Sequence, residues 1–176
     1  MTECPSVRVV LTACAVLIAT LVPSSPAAAQ SAYVSPEIGW SQARRLTVGG
    51  RIGVEGPAGL DLVGQALVFF PETDAVGDAG VGVSRSAWEG SVNALYLFDR
   101  SRTLSPYLGV GVRYGRSRTA VVVDGLRATV DRSGPDLNLI LGVVLVRLPG
   151  HPFLEWKREP AGTIATVGVR LALGSR

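Results

Sequence analysis

The stretch PYLGVGVRYGRS, residues 106–117, decides the fold. Between Leu108 and Gly115 it sets a bulky apolar residue at every even position and a glycine or arginine at every odd one. That period of two is the signature of a β-strand with two unlike faces. Leu108, Val110, Val112 and Tyr114 form one face; Gly109, Gly111, Arg113 and Gly115 form the other. In a water-soluble barrel the apolar face would point inward. In a membrane barrel the strand is turned inside out, with the apolar face in lipid and Arg113 in the lumen.

The glycines choose between these. Glycine weakens a strand unless something crowds it, and nothing crowds the solvent face of a soluble barrel. Inside a narrow barrel, small residues make room for large ones. The same glycine-plus-charge face recurs in LTVGGRIGVE (46–55) and in TIATVGVRLAL (163–173). Arginine in the lipid midplane costs roughly 2–4 kcal/mol, so Arg51, Arg113 and Arg170 are expected to face inward. Glu37, in YVSPEIGW, and Glu155, in FLEWKR, fall on matching faces. Together Glu37, Arg51, Arg113, Glu155 and Arg170 are expected to form a lumenal polar network. If first and last strands close the barrel, Glu37 is expected to meet Arg170.

Eight such segments run along the chain: 32–41, 45–54, 60–70, 88–99, 106–117, 137–147, 152–159 and 163–173. Clusters of Gly, Pro, Asp, Ser and Arg separate them, as in an all-β meander. The connections alternate in length, and both long ones, 71–87 and 118–136, follow odd-numbered segments. An up-and-down barrel with both ends in the periplasm puts such connections outside the cell. Within 118–136, Asp124-Gly125 is flanked by β-formers, a hairpin signal, so segments five and six are expected to continue as a two-stranded ribbon. Trp40, Phe70, Trp88, Tyr107, Phe153 and Trp156 lie near segment ends, where aromatic girdles sit. The expected fold is an all-β, eight-stranded antiparallel up-and-down transmembrane β-barrel.

The first 29 residues are set apart. Arg8 precedes an apolar run, Val9 to Val22, that is too short for the roughly 20 residues of a spanning helix. Ala27-Ala28-Ala29 follows it, as in a secretory signal peptide. The reading is a signal peptide at 1–29, a barrel domain at 30–176 and an outer-membrane destination. LTAC at 11–14 resembles a lipoprotein box, but cleavage at Cys14 would cut through the apolar run. Cys4 and Cys14 both lie in the signal, so the remainder offers no disulfide, thiol chemistry or cysteine-metal site. All but one of the 17 basic residues are arginine, the exception being Lys157, and no basic run is dense enough for nucleic acid.

SVNALYLF (91–98), SPYLGVGVRYG (105–115), LGVVLVRL (141–148), PFLEWK (152–157) and VGVRLAL (167–173), in that order, resemble the small outer-membrane β-barrel domain proteins of Gram-negative bacteria. The resemblance implies an eight-stranded barrel in the outer membrane, usually without assigned enzymatic activity. One departure is the ending LALGSR, where such chains often carry an aromatic residue recognised by the barrel-assembly machinery. This bears on insertion more than on fold.

Catalytic chemistry finds little footing. A hydrolase needs a nucleophile, a base and an orienting acid within reach of one another. The single histidine, His151, sits in the turn PGHPF with no serine close in sequence, and a polar turn residue is the simpler reading. Glu72, Asp74 and Asp78 cluster in the first long connection but match no cation-loop spacing. No cofactor is expected. The partners expected are outer-membrane lipid and lipopolysaccharide, the barrel-assembly machinery during insertion, and no second copy of the chain. The leading function is a non-enzymatic barrel with a side-chain-filled lumen, acting in a structural or surface-interaction role through 71–87 and 118–136. Its rival is a soluble lipocalin-like carrier of a small apolar ligand. That rival lacks disulfides and the Gly-x-Trp start, since Gly39 and Trp40 are adjacent. A narrow pore is disfavoured because large side chains block eight strands.

Overall fold

The computed structural model describes residues 31–42, 45–76, 81–123, 126–160 and 162–173. The signal segment with both cysteines, Asp78 and the Asp124-Gly125 turn lie outside the described residues. So do the side chains of Glu72 and Asp74.

The strands are β1 (Ala32–Ser41), β2 (Arg45–Glu55), β3 (Leu60–Val76), β4 (Val81–Leu97), β5 (Leu104–Val123), β6 (Leu126–Leu145), β7 (Pro152–Glu159), β8 (Gly162–Val169) and β9 (Leu171–Leu173). Each pairs antiparallel with the next, and β1 closes the ring by pairing with β2 on one side and with β8 and β9 on the other. β8 and β9 are one strand interrupted at Arg170, whose N–H leaves the ladder for the Gly150 carbonyl at 2.7 Å. The result is a closed eight-stranded barrel, which has no free edge around its ring.

Alternation sorts the side chains. Leu108, Val110 and Val112 are 48%, 51% and 52% exposed, whereas Arg113 is 4% exposed. The 106–117 stretch therefore turns its apolar face outward. Ile38, Val48, Ile52, Val68, Val92, Leu139, Leu141, Trp156 and Val167 continue this outer apolar belt on other strands.

The inward glycines accommodate neighbouring rings. A Cβ added at Gly53 would land on the ring of Tyr33, and one at Gly142 on the ring of Tyr107. At Gly111 it would strike the side chains of Asn93 and Asn138. Each of these inward residues thus lies across the face of a glycine on the adjoining strand, where a Cβ would collide with it. Two residues expected in the aromatic girdles are corrected by this. Tyr107 and Phe153 are buried in the lumen, because they sit in the inward register of β5 and β7. Trp40, Phe70, Trp88 and Trp156 do face outward.

The long connections are also revised. β3 and β4 pair as far as Val76↔Val81, and β5 and β6 as far as Val123↔Leu126. β4 and β5 pair throughout, up to Gly82↔Val122. The segments expected as loops at 71–87 and 118–136 are mostly strand, and the ribbon expected from two strands has four. On either side the wall stops short: β2 pairs with β3 only to Thr47↔Phe69, and β7 pairs with β6 only to Leu139↔Arg158. β3 to β6 therefore stand above one half of the rim as a four-stranded sheet extension. Pro71 and Pro135 lie near the points where the flanking strands end, and edge positions are where a residue without an N–H is tolerated.

Glycine placement yields a first prediction. Gly142→Val, which drives a side chain into Tyr107, should lower barrel stability by about 1–3 kcal/mol, the usual cost of overpacking. Gly134→Val, where nothing lies within 4 Å of an added Cβ, should be nearly neutral. Urea unfolding in phospholipid vesicles, followed by tryptophan fluorescence, separates the two.

Candidate functional site: the lumenal polar network

Three layers fill the interior. The base, nearest the 56–59 turn, is an apolar cluster of Tyr33, Val63, Leu95, Leu97, Tyr107, Ile140, Val144 and Phe153. Leu67, Phe69 and Ile164 form a smaller cluster toward the extended end. Between and beside them lies a continuous chain of polar contacts.

Arg51 is its first hub. Its Nη1 donates to Glu155 Oε2 at 2.8 Å and its Nε to Glu37 Oε2 at 3.0 Å, with Nη2 also on Glu37. The guanidinium lies 4.4 Å from the Phe153 ring centroid. Tyr107 Oη donates to the same Glu155 carboxylate at 2.9 Å. The planar fork of an arginine suits bridging of this kind, since it reaches two carboxylates at once.

Gln65 links this hub to a second one. Its Nε2 donates to Glu37 at 2.8 Å, while its Oε1 accepts from Lys157 Nζ at 2.9 Å and from Ser91 at 3.2 Å. Ser91 accepts from Asn93, which in turn accepts from Asn138. Lys157 reaches Glu89 at 2.6 Å. Arg113 then joins Glu89 at 3.2 Å, Glu159 at 3.1 Å and Asp136 at 2.8 Å.

Arg170 belongs to neither hub. It binds Asp61 at 3.2 Å and lies 5.0 Å from the Tyr33 centroid and 5.5 Å from that of Tyr107, a cation–π setting at the base. Arg100 also contacts Asp61, and reaches Glu55 at 3.7 Å.

All five sequence-predicted residues are buried, but they do not form one cluster. Glu37, Arg51 and Glu155 meet; Arg113 stands in the second hub; Arg170 stands apart. The expected Glu37–Arg170 pair is corrected. Glu37 is opposite Gly168 on β8 and Gly49 on β2, so Arg51 and Arg170 are equally offset from it. The strand break at Arg170 decides the matter by turning that residue toward Asp61.

Sequence reasoning missed Asp61, Gln65, Glu89, Lys157 and Glu159. The alternation of PFLEWKRE puts Glu155, Lys157 and Glu159 on one face, which is a usable signal. Gln65 carries no charge and lies in a segment apolar on both faces, so nothing marked it. His151 is half-buried in the turn before β7, at φ 35, where its N–H donates to the Leu148 carbonyl.

No family model matches this chain, and no curated protein matches its sequence. Several solved structures match its shape, two of them as follows. One is the N-terminal β-barrel domain of Pseudomonas aeruginosa OprF, with a TM-score of 0.59 at 15% identity, covering 81% of this chain and 97% of that one. The fold is that of the outer-membrane barrels. The second is a major outer membrane protein from Thermus thermophilus, with a TM-score of 0.51 at 12% identity, covering 83% of this chain and 100% of that one. In this fold the outer apolar belt encircles the buried polar network.

Arg51→Met strands two buried carboxylates and should cost about 3–5 kcal/mol. Adding Glu37→Gln and Glu155→Gln should recover most of that loss, while a Glu37/Arg170 charge swap should show only additive losses. Urea unfolding of each variant in vesicles reads both.

Above the Trp88–Tyr114 aromatic pair, in the sheet extension, hydrogen bonds from Arg118 and then Arg116 hold the Asp131 carboxyl down at about 2. A depressed carboxyl stabilises the fold above its unfolded value near 3.9, and that contribution is lost as pH falls through about 2. The Asp131 carbon resonance should titrate near 2, and near the ordinary aspartate value once both arginines are alanine.

Proposed function

We propose that this chain is a non-enzymatic outer-membrane barrel, sealed by its own side chains, that presents the β3–β6 sheet extension at the cell surface. The observation that carries this reading is the inverted side-chain sorting. Apolar residues ring the outside, ion pairs occupy the inside, and apolar clusters lie on both sides of the Arg51 hub. The side chains of both hubs and both clusters occupy the interior, which favours closure over conduction.

A soluble carrier fits this sorting poorly. A carrier needs an apolar cavity and a polar exterior, whereas the interior space is taken up by the Arg51 and Lys157 hubs. Lipid and lipopolysaccharide are the partners suited to the apolar belt. The barrel-assembly machinery is the route of insertion this reading requires, after removal of the signal peptide at 1–29, and the closed ring needs no second copy. The two similar structures support an outer-membrane location by analogy of fold.

The experiment is expression of the full chain in a Gram-negative host, followed by membrane fractionation and gel migration with and without boiling. The expected result is an outer-membrane protein that migrates faster unboiled and gives no steady conductance in planar bilayers. It should also be cut in the β5–β6 extension by protease added to intact cells. A soluble periplasmic product without heat shift overturns the reading, and steady conductance overturns the sealed lumen.

A further inference from the structure

The sheet extension ends in an edge that no strand of the barrel covers. β7 leaves β6 at Leu139↔Arg158, and among the described residues nothing pairs with β6 on that side from Leu126 to Asn138. Which backbone groups point off this edge can be worked out. Residues of an antiparallel strand bond alternately to one neighbour and the other. The Val146 N–H donates to the Thr103 carbonyl at 2.9 Å, so even-numbered residues of β6 face β5. The β5–β6 register runs without a shift from Leu104↔Leu145 to Val123↔Leu126, which keeps that parity along the whole strand. The N–H and C=O groups of Arg127, Thr129, Asp131 and Ser133 therefore point off the edge. Pro135 has the same parity, and its missing N–H costs the β5 ladder nothing.

The charge of the edge is also uneven. Asp131, its one described acidic side chain between Leu126 and Ser133, is held by Arg116 and Arg118. Arg127 and Arg132 are exposed and have no ion-pair partner among the described residues. Leu126 and Val130 are 79% and 55% exposed, which offers apolar contact beside the arginines. Natural sheets blunt such an edge with charged side chains, proline, a covering loop or very short strands; this one carries arginines and Pro135 but stays long and straight in register.

We propose that the free edge of β6, Arg127 to Ser133, binds an extended acidic peptide segment of another protein by strand addition. The unpaired backbone groups supply the hydrogen bonds, and Arg127 and Arg132 select acidic side chains on the incoming strand. This rests on the reading that the extension lies outside the membrane, but the binding itself does not need a membrane to be measured.

The test uses the full chain in detergent micelles and two fluorescein-labelled peptides of about 8 residues, enough to span this edge. One carries a glutamate on each face, placed to meet Arg127 on one side and Arg132 on the other, with valine elsewhere; the other carries lysine at those places. The acidic peptide should bind at least about tenfold tighter by anisotropy, and should slow hydrogen exchange at the amides of Arg127, Thr129, Asp131 and Ser133. Thr129→Pro removes one edge donor while sparing the β5 ladder, and should weaken binding about tenfold with the unboiled gel shift intact. If that variant does not fold, the Arg127→Glu/Arg132→Glu pair decides alone by reversing the preference toward the lysine peptide.

Equal affinity for both peptides, no binding of either, or full binding by a folded Thr129→Pro variant overturns the proposal. So does a concentration-dependent dimer that forms without peptide and is lost with Thr129→Pro, since the edge would then belong to a second copy. Failure of the proposed outer-membrane role would show instead in fractionation, with peptide binding in micelles unaffected.

Discussion

Closing eight strands into a ring leaves a lumen too narrow for water to solvate a charge, and the rest of this structure answers that constraint. Every inward position must hold a side chain of the right size, and every inward charge must meet its opposite. Arg51 does so by bridging Glu37 and Glu155, and Lys157 by resting on Glu89 and Gln65. Replacing buried ion pairs with hydrocarbon is often neutral or stabilising. Their net contribution is therefore better understood as specificity. A slip of one residue in β2 or β5 would turn Arg51 or Arg113 onto the outer apolar face and a valine onto a carboxylate, so the charges penalise wrong registers.

Size matching carries the same constraint in apolar form. Tyr33 over Gly53, Tyr107 over Gly142 and Phe153 over Gly168 are three instances of one device, a ring laid across a residue without a Cβ. These aromatics then offer their faces to Arg51 and Arg170, so the packing and the electrostatics of the base are one arrangement. Apolar contacts below and above the hubs strengthen the ion pairs between them by keeping water away.

The extension of β3 to β6 beyond the ring answers to a different physics. Above the rim there is no lumen to fill, and glycines such as Gly134 and Gly82 have open space around them. Serine, threonine and arginine are interspersed there with exposed valines and Leu126. Here the sheet has edges again, and the backbone groups along them are the chemistry it has to offer.

The direction in which each side chain points was legible in the residues alone. A period of two is a local property, and PYLGVGVRYG assigns Leu108, Val110 and Val112 to one side and Arg113 to the other with no reference to the rest of the chain. The glycines made the outer side the apolar one, because only a crowded interior needs them. Strand number and antiparallel order were equally local, set by turn residues between segments. Partner choice was not. Glu37 pairs with Arg51 rather than Arg170 because a strand break redirects Arg170, and Gln65 links two hubs because its side chain reaches, inside the closed ring, Glu37 of β1 and Lys157 of β7, neither of them on a neighbouring strand. Tyr107 and Phe153 looked like girdle residues by position, yet register turned them inward. The extension was read as loop because its polar outer residues resemble loop composition, while its hydrogen bonds come from neighbouring strands. Alternation is a property of one strand; who meets whom across the lumen depends on shear and closure, which exist only once all eight are in place.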